Sequence, residues 1–330
     1  MRTKGAFVVV IFAAALVAVS VVAGADTVGP INFENFTLGP IWGQHGWTGG
    51  YCGPHDIEVA DNSSHAGAPA SFGAKSYRIS NAYTNGCFGD SFSKSLANEA
   101  GESTAANGGL SGGSRQNRFT VEFTFASSTG NLQPGLNVQV SPDRGDGARM
   151  SFLRMRHTTT TLQFEFFDVQ GADGTPPCFQ CANFVSTTLP GVYDPKVPHR
   201  VRMDMLFFEG PSNDEVRVYI DGLIRHIGGS WEDYYYYDTE SSPNPPRVSR
   251  TVDSLLIRAS GGAVPANLGK GFLIDALTLT SGSIGCQEGR GIRETGPVSG
   301  TVHNTVEPAV GPLGAPVHSI NCQVIVPLGL

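Results

Sequence analysis

The sequence predicts an all-β protein built as an antiparallel sandwich of two sheets. Segments of alternating apolar and polar residues recur along the chain and are separated by short turns rich in Gly, Pro and Asn. Charged residues make up only 15% of the chain and there are 42 glycines, which is typical of a β-rich extracellular protein with many turns. No segment has the periodicity of an amphipathic helix longer than one or two turns.

Residues 1–25 have the pattern of a secretory signal peptide. Arg2 and Lys4 precede a long uncharged apolar run, and Ala23-Gly24-Ala25 supplies the small residues that signal peptidase accepts. We therefore expect cleavage before Asp26 and secretion of the mature chain into the extracellular space. The alternative is an uncleaved anchor, because the apolar run is long enough to span a bilayer. After cleavage we expect no membrane association.

Residues 26–284 are predicted to form one sandwich domain. Most predicted strands carry apolar side chains at alternate positions, which is the pattern of a sheet with one buried face. In chain order they are residues 119–125, 136–140, 150–156, 162–168, 251–258 and 272–279. The Gly/Ser/Asn-rich segment from Ala100 to Ser114 is expected to be a surface loop of this domain rather than a linker.

The strongest strand pattern is the hairpin from His199 to Gly222. Its first half places four apolar side chains on one face, and its second half repeats the alternation after a Gly-Pro-Ser-Asn-Asp turn. Period-two alternation on both sides of such a turn predicts an antiparallel hairpin with one buried face. The expected inward-facing residues are Val201, Met203, Met205, Phe207, Val216, Val218 and Ile220.

Six cysteines in an exported chain favour disulfide bonds, although the spacing permits many connectivities. Pairing by neighbourhood gives Cys52 with Cys87, Cys178 with Cys181, and Cys286 with Cys322. The middle pair could instead be a redox or zinc site. It follows Gly-Thr-Pro-Pro in a loop, however, and there is no second Cys pair to complete a zinc site, so a disulfide is the better interpretation. Residues 285–330 are expected to be an irregular Gly/Pro-rich extension tied by the last disulfide.

Three segments together resemble the concanavalin A-like lectin/glucanase superfamily, in its laminin-G-like jelly-roll branch. They are the Ile-Asn-Phe-Glu-Asn-Phe run at 31–36 leading to Trp47, the hairpin ending in Tyr-Ile-Asp-Gly222, and Gly-Lys-Gly-Phe-Leu-Ile-Asp at 269–275. The chain is also similar to secreted bacterial proteins built on this pattern. The resemblance implies a jelly roll in which the closing strand pairs with the N-terminal strand. Lectins, adhesins, hydrolases and lyases share this scaffold, so the fold alone does not select a function.

The resemblance also implies a structural calcium site at Glu34 and Asp275. In related modules an N-terminal Phe-Glu and a C-terminal Ile-Asp meet where the first and last strands adjoin, and carboxylate oxygens suit this hard cation. The alternative is a hydrogen-bonded or exposed acid at the end of each strand. No other cofactor is expected.

The aromatic segment Trp231-Glu-Asp-Tyr-Tyr-Tyr-Tyr237 is the candidate ligand-binding site. Proteins that bind sugars use exposed aromatic planes, whose apolar faces stack on pyranose C–H groups. Consecutive side chains of a strand point to opposite faces, so Tyr234, Tyr235, Tyr236 and Tyr237 cannot all be buried on one. We expect these tyrosines and Trp231 to contact ligand. The alternative is that Trp231 anchors the loop and the tyrosines cover a neighbouring apolar surface.

Catalytic residues are harder to place. A glycoside hydrolase needs two suitably spaced carboxylates, and the Glu-x-Asp-x-x-Glu pattern of laminarinase-like enzymes is missing. Lyase-like relatives use Arg, Gln, His and Tyr on a concave sheet face, and the matching residue types here are Gln139, Arg154, His157, Arg202 and Tyr219. The solvated face of an ordinary sheet supplies the same residue types.

The sequence thus favours a secreted, non-catalytic carbohydrate-binding or surface-interaction protein, whose partner is an extracellular polysaccharide or other glycan. A polysaccharide lyase or glycoside hydrolase that uses the concave sheet face is one alternative. A purely structural extracellular protein is another. A net charge of −7 gives no electrostatic reason to bind nucleic acid or an anionic membrane.

Overall fold

The computed structural model describes residues 25–84, 90–105, 113–241 and 247–283 of the chain. Within these ranges the regular structure is almost entirely β-strand, with one six-residue α-helix and a few single 3-10 turns. In chain order the elements are β1 (Asp26–Ile31), β2 (Thr48–Gly49), β3 (Asp56–Asp61), β4 (Lys75–Ser80), β5 (Ser91–Phe92), β6 (Arg118–Ser127), β7 (Asn137–Asp143), β8 (Phe152–His157), β9 (Leu162–Ala172), β10 (Ala182–Thr188), β11 (His199–Leu206), β12 (Glu215–Ile220), β13 (Leu223–Gly228), α1 (Glu232–Tyr237), β14 (Ser254–Ala259) and β15 (Phe272–Gly282).

The strands form two antiparallel sheets. Sheet A has eight strands in the order β13-β12-β11-β6-β15-β4-β3, with β1 paired to part of β15. Sheet B has seven strands in the order β10-β9-β8-β7-β14-β5-β2. Within each sheet, every pair of neighbouring strands is antiparallel. The all-β, two-sheet antiparallel sandwich predicted from the sequence is therefore confirmed.

The apolar faces of the two sheets pack against each other in one continuous core. Met203 and Met205 of β11 point inward with no exposed surface, as the alternation predicts. Phe125 of sheet A meets Phe164 of sheet B edge to face, with ring centroids 5.7 Å apart, which is a favourable aromatic geometry. Burying one large apolar side chain contributes roughly 1.5–3 kcal/mol. The core thus holds the strands in a fixed register and presents the alternate side chains on two outer faces.

The hairpin from His199 to Gly222 is formed as predicted. After it, β12 turns into β13 through Asp221 and Gly222, whose φ angles are +54° and +78°. Positive φ at both residues of a two-residue turn is the type I′ geometry that favours Asp-Gly. The Asp221 carboxylate lies 2.8 Å from Nδ1 of His199 and accepts a 2.9 Å hydrogen bond from the Arg200 backbone N–H. These contacts give His199 a role in fixing the hairpin.

Strand β15 lies in the middle of sheet A. One edge pairs with β6 over most of its length, and the other pairs first with β4 and then with β1. The change of partner coincides with a register shift after Asp275, where Ala276 has a φ of +52°. The expectation that the closing strand pairs with the N-terminal strand is confirmed.

Two segments differ from the sequence-based expectation. The tyrosine run, which was expected to be an aromatic loop, lies on helix α1. In the segment from Ala100 to Ser114, which was expected to be a surface loop, Ala100 is fully buried and forms isolated bridges to Gln116 and Val252. The interpretation as a surface loop is therefore wrong for the first part of this segment, because its backbone pairs with neighbouring segments of the core. Residues 106–112 lie outside the described ranges.

The disulfide between Cys178 and Cys181 is formed. Cys52 is also disulfide-bonded, but its expected partner Cys87 lies outside the described residues. The expected pair of Cys286 and Cys322, the extension over 285–330 and residues 1–24 of the expected signal peptide also lie outside them. In the part of the chain that the structure describes, no helix is long and apolar enough to cross a membrane.

Candidate functional site

Four polar side chains form a row across the outer face of sheet B. The strand registers place Arg258 of β14 opposite Gln139 of β7, Gln139 opposite Arg154 of β8, and Arg154 opposite Glu165 of β9. Their chain neighbours alternate into the core, so these four side chains point away from it. We call them the polar row. At about 4.8 Å between adjacent strands, the row is about 14 Å long.

The polar row carries an excess of positive charge. The Glu165 carboxylate accepts a 3.0 Å hydrogen bond from Arg154 and forms a 2.7 Å ion pair with Arg156. Burial, together with the nearby positive charge of Arg258, lowers the pKa of Arg149 to about 10. Burial likewise lowers the pKa of Arg258, although Asp90 partly offsets this effect. A half-buried guanidinium group that has lost part of its hydration favours a nearby anion, because the anion compensates for that loss.

The centre of the row also offers an unused acceptor. Gln139 is 4% exposed, and its Oε1 atom is buried without a hydrogen-bond partner among the described residues. Leaving a buried acceptor unpaired costs roughly 1–3 kcal/mol, so such atoms are uncommon in folded proteins. A ligand hydroxyl at this position would satisfy it.

Aromatic rings border the row on the side of β8, β9 and β10. Phe152 and Phe167 are stacked with centroids 4.2 Å apart, and the Arg154 guanidinium lies 4.4 Å from the centre of the Phe167 ring. The Trp231 ring lies 5.6 Å from Phe152 and 4.9 Å from Phe184. Phe184 is 47% exposed, so the border ends in a ring that faces solvent.

In the aromatic segment predicted to bind ligand, some side chains are buried against sheet B and others lie near the surface. Trp231 is 4% exposed, and its indole N–H donates a 3.0 Å hydrogen bond to the Phe167 carbonyl. Tyr235 is 5% exposed, and its hydroxyl donates to the Arg149 carbonyl at 2.8 Å. Trp231 and Tyr235 therefore fasten the segment to sheet B.

The remaining tyrosines lie closer to the surface. Tyr234, Tyr236 and Tyr237 are half-buried. The Tyr236 hydroxyl donates a 2.6 Å hydrogen bond to the Glu102 carboxylate, away from the polar row. The Tyr234 ring lies 5.3 Å from Phe184 and continues the aromatic border. A helix turns successive side chains by about a quarter of a circle, since it has 3.6 residues per turn, and this rotation separates the four tyrosines.

Glu34 and Asp275, the pair predicted to bind calcium, lie within electrostatic reach of each other. Asp275 is 4% exposed, and burial raises its pKa to about 7, with a further contribution from the charge of Glu34. Its Oδ1 atom has no hydrogen-bond partner within the described ranges. Glu34 is exposed, and its Oε1 atom accepts hydrogen bonds from the backbone N–H groups of Ala74 at 2.7 Å and Lys75 at 3.1 Å. Both side chains supply the carboxylate oxygens that calcium binds.

The residue types considered for a lyase do not come together. Gln139 and Arg154 belong to the polar row of sheet B. His157 is 2% exposed, and its Nδ1 atom accepts a 2.9 Å hydrogen bond from the Gln133 backbone N–H. Arg202 and Tyr219 lie on the outer face of sheet A, on the other side of the molecule.

The outer face of sheet A has a different electrostatic character. A shallow pocket there is lined by Glu122, Arg200, Arg202, Tyr219 and Gly222. Arg200 forms a 2.5 Å ion pair with Glu122, and Arg202 donates to Asp204 at 2.9 Å. The named arginines of this face are thus paired with carboxylates.

The sequence analysis did not single out Arg258, Phe167 or Phe184 as site residues. Each lies at a polar or aromatic position of a strand, but no local signal shows which strand lies beside it. The stacked pair formed by Phe152 and Phe167 depends on the register between β8 and β9, and this register pairs residues 15 positions apart. The only sequence signal for this pair is that Phe152 and Phe167 each fall at an outward-facing position of two consecutive predicted strands.

No protein-family model matches the chain, and no curated protein matches it. Several solved structures are similar. Alginate lyase Aly36B is 12% identical with a TM-score of 0.39, covering 78% of this chain and 97% of that protein. The Emp47p carbohydrate recognition domain is 14% identical with a TM-score of 0.37, covering 78% of this chain and 98% of that domain. An endo-1,3-β-glucanase from Streptomyces sioyaensis is 12% identical with a TM-score of 0.34, covering 74% of this chain and 99% of that protein. At these identities and scores, no residue role is transferred from them.

Proposed function

We propose that the protein is a secreted, non-catalytic carbohydrate-binding protein that holds an anionic polysaccharide on the outer face of sheet B. The observation that supports this most directly is the polar row, in which Arg258, Gln139, Arg154 and Glu165 follow one another across four strands. Both Arg154 and Arg156 pair with its carboxylate, Glu165. Guanidinium groups bind carboxylates through paired, charge-assisted hydrogen bonds. A polysaccharide that carries carboxylate groups matches this charge.

The aromatic border supports a sugar rather than a small inorganic anion. Phe184 and Tyr234 present ring surface beside the row, and such rings stack on the apolar faces of pyranose units. Trp231 and Tyr235, which are buried, support these rings from below in this proposal, and Tyr237 lies at the surface end of the helix. The row's length of about 14 Å across four strands suits an extended ligand.

A binding role is favoured over hydrolysis by the carboxylates of the row. A glycoside hydrolase uses two carboxyl groups on opposite sides of the scissile bond. Glu165 is the one carboxylate in the polar row, and both Arg154 and Arg156 hold it as an acceptor. The row thus offers one carboxyl group where that mechanism uses two.

The extracellular location in this proposal is supported by two features. The expected signal peptide over 1–25 would direct the chain to export. The Cys178–Cys181 disulfide is of the kind that persists in oxidising compartments. The proposal also keeps a structural calcium ion at Glu34 and Asp275, where it would compensate for the buried charge of Asp275 near the point at which β15 changes partner.

The test compares one arginine from each outer face. Arg154 stacks on Phe167 and pairs with Glu165, while Arg202 lies 5.0 Å from the Tyr219 ring and pairs with Asp204. Each of the two acids keeps a second arginine when the first is replaced, namely Arg156 for Glu165 and Arg118 for Asp204. Arg154→Gln and Arg202→Gln are therefore matched variants.

We expect the mature chain to be retained by alginate and polygalacturonate, and to bind neutral laminarin more weakly. Arg154→Gln should weaken retention on the anionic polymers by about 10- to 100-fold, which corresponds to roughly 1.5–3 kcal/mol for a hydrogen bond to a charged group. Arg202→Gln should bind like the wild type. Affinity gel electrophoresis with each polymer measures both variants. Equal losses in the two variants would contradict the assignment to sheet B.

The same incubations separate the alternatives. Unsaturated oligosaccharides in the supernatant, detected by their ultraviolet absorbance, would replace the binding proposal with a lyase. New reducing ends without that absorbance would indicate a hydrolase. Absence of both retention and products on every polymer would favour the structural role.

A further inference from the structure

A second group of acidic side chains lies away from both the polar row and the Glu34–Asp275 pair. Glu102 comes from the segment before β6, Asp214 immediately precedes β12, and Glu232 is the first residue of α1. Each contributes a carboxylate oxygen, and the three oxygens lie within 4.8 Å of one another. The residues are 1%, 7% and 2% exposed, respectively. Three segments that are distant in sequence thus bring three buried carboxylates to one point.

Hydrogen bonds hold one side of each glutamate. Oε2 of Glu102 accepts from the Tyr236 hydroxyl at 2.6 Å and from the Gly210 backbone N–H at 3.0 Å. Oε1 of Glu232 accepts from the backbone N–H groups of Asn213 at 2.6 Å and Asp214 at 2.8 Å. These bonds fix both side chains and leave their second oxygens available.

The second oxygens have no hydrogen-bond donor. Oε1 of Glu102 and Oε2 of Glu232 are fully buried, and no described residue donates to either atom. No ion pair among the described residues joins an arginine or lysine to any of the three acids. Burial raises the pKa of both Asp214 and Glu232 well above the ordinary carboxyl range, and repulsion between the acids adds to it. Buried carboxylate oxygens this close together require a positive charge between them.

We propose that Glu102, Asp214 and Glu232 bind a divalent cation, and that this ion is calcium. The site is separate from the one expected at Glu34 and Asp275. The identified donors are oxygen atoms only, with no His or Cys in the group, which disfavours zinc and favours a hard cation. Calcium accepts irregular oxygen geometry, whereas magnesium demands a nearly ideal octahedron and keeps several waters.

The position of the ion gives it a structural role in the carbohydrate-binding face. It would tie the turn between β11 and β12 to the N-terminal end of α1, directly beside Trp231. Trp231 in turn packs on Phe152 and Phe184 of the aromatic border. The ion would therefore hold the border in place from outside the face that binds the polymer. This role rests on the proposed function, whereas the ion site itself does not.

The experiment uses the mature full-length chain after treatment with a chelator, with Asp275→Asn as the background. This background removes the expected site at Glu34 and Asp275, so the remaining calcium binding reports only the site proposed here. Calorimetric titration with calcium should show one ion bound per chain. Adding Glu232→Gln should weaken this binding by at least tenfold. Asp204→Asn, a carboxyl-to-amide change at a buried residue of sheet A, should leave it unchanged.

Thermal unfolding supplies a second measurement that does not depend on affinity. Without calcium, Glu232→Gln should melt at a higher temperature than its background. A neutral amide needs no proton on burial, whereas the buried carboxyl must either take one up or repel its acidic neighbours. With calcium, the order should reverse, because the background gains stability and the variant does not.

Absence of calcium binding in the background, or equal binding in the Glu232→Gln chain, would overturn the proposal and leave shared protons as the positive charge. If the background chain binds calcium but is not retained by the anionic polymers, the result contradicts the proposed function and leaves the calcium site standing.

Discussion

His157 ends β8 with its ring turned into the core, and its two ring nitrogens have different surroundings. Nδ1 accepts the hydrogen bond from Gln133, while Nε2 is buried with no partner in the described part of the chain. The ring lies edge-on to Phe272, with centroids 4.9 Å apart. Burial lowers the pKa of His157 to about 4, because a charged imidazolium would lose its hydration without gaining a partner.

This burial predicts a pH dependence of stability. In the unfolded chain the histidine pKa is 6.5, so between pH 6.5 and 4 the unfolded state binds a proton that the folded state does not. The free energy of unfolding should therefore decrease as the pH falls through this window, by up to about 3 kcal/mol from this residue. His157→Asn keeps an acceptor for Gln133 and removes the titration. Urea unfolding of both chains at several pH values measures the difference.

The wild type and His157→Asn should differ by a constant amount above pH 6.5. Below it, the gap should change in favour of the variant. Two parallel curves over the whole range would contradict the assignment of the buried neutral ring.

At the scale of elements, helix α1 and strand β10 are joined by one carboxylate as well as by packing. Asp238, which follows α1, is 1% exposed and accepts hydrogen bonds from the backbone N–H groups of Gln180, Cys181 and Ala182, at 3.0, 2.8 and 3.0 Å. The disulfide lies in the same loop and spans a sequence separation of only three residues. Two devices therefore fix this loop.

We expect the carboxylate to contribute more than the disulfide. Asp238→Ala removes the charged acceptor of these three backbone donors, of which the Cys181 N–H is buried and the other two are part-buried. At roughly 1 kcal/mol or more for each lost bond, a total loss of about 3 kcal/mol is expected. Replacing both Cys178 and Cys181 by Ser should cost about 2 kcal/mol, because so short a loop restricts the unfolded chain only slightly. Chemical denaturation of the two variants gives the order. A larger loss in the cysteine variant would contradict it.

The elements differ in how well the sequence predicts them. The strands of the hairpin from His199 to Gly222 follow from local alternation, since each needs only its own buried face. Helix α1 does not, because four consecutive tyrosines have no period that separates helix from strand. Its position depends on contacts made far along the chain, such as Trp231 on Phe152 and Tyr236 on Glu102. The acidic group depends on three such segments at once and has no local pattern.

At the scale of the whole molecule, one core joins both ends of the sandwich. The same continuous cluster contains Trp47, which stacks on Tyr77 with centroids 5.5 Å apart, and Trp231, which lies against Phe152. The β1–β15 pairing and the position of β15 could be inferred from a resemblance to known folds. The polar row could not, because it combines the registers of four strands, and each register is set by packing across the molecule.

A single core predicts that unfolding is cooperative across the sandwich. In Trp231→Phe, the remaining tryptophan fluorescence comes from Trp42 and Trp47 at one end. In the double variant Trp42→Phe with Trp47→Phe, it comes from Trp231 at the other end. Within each variant, the fluorescence midpoint in urea should coincide with the midpoint from far-ultraviolet circular dichroism. Separate midpoints in either variant would show that the two ends unfold independently.

The central position of β15 also has a consequence for the order of events during synthesis. β15 is the last strand of the described chain, yet it lies between β6 on one side and β4 and β1 on the other. Until the ribosome has released residues up to Gly282, sheet A exists as two separate parts with open edges. Such edges recruit strands from other molecules. A chain cut short before Phe272 should therefore aggregate rather than form a smaller sandwich.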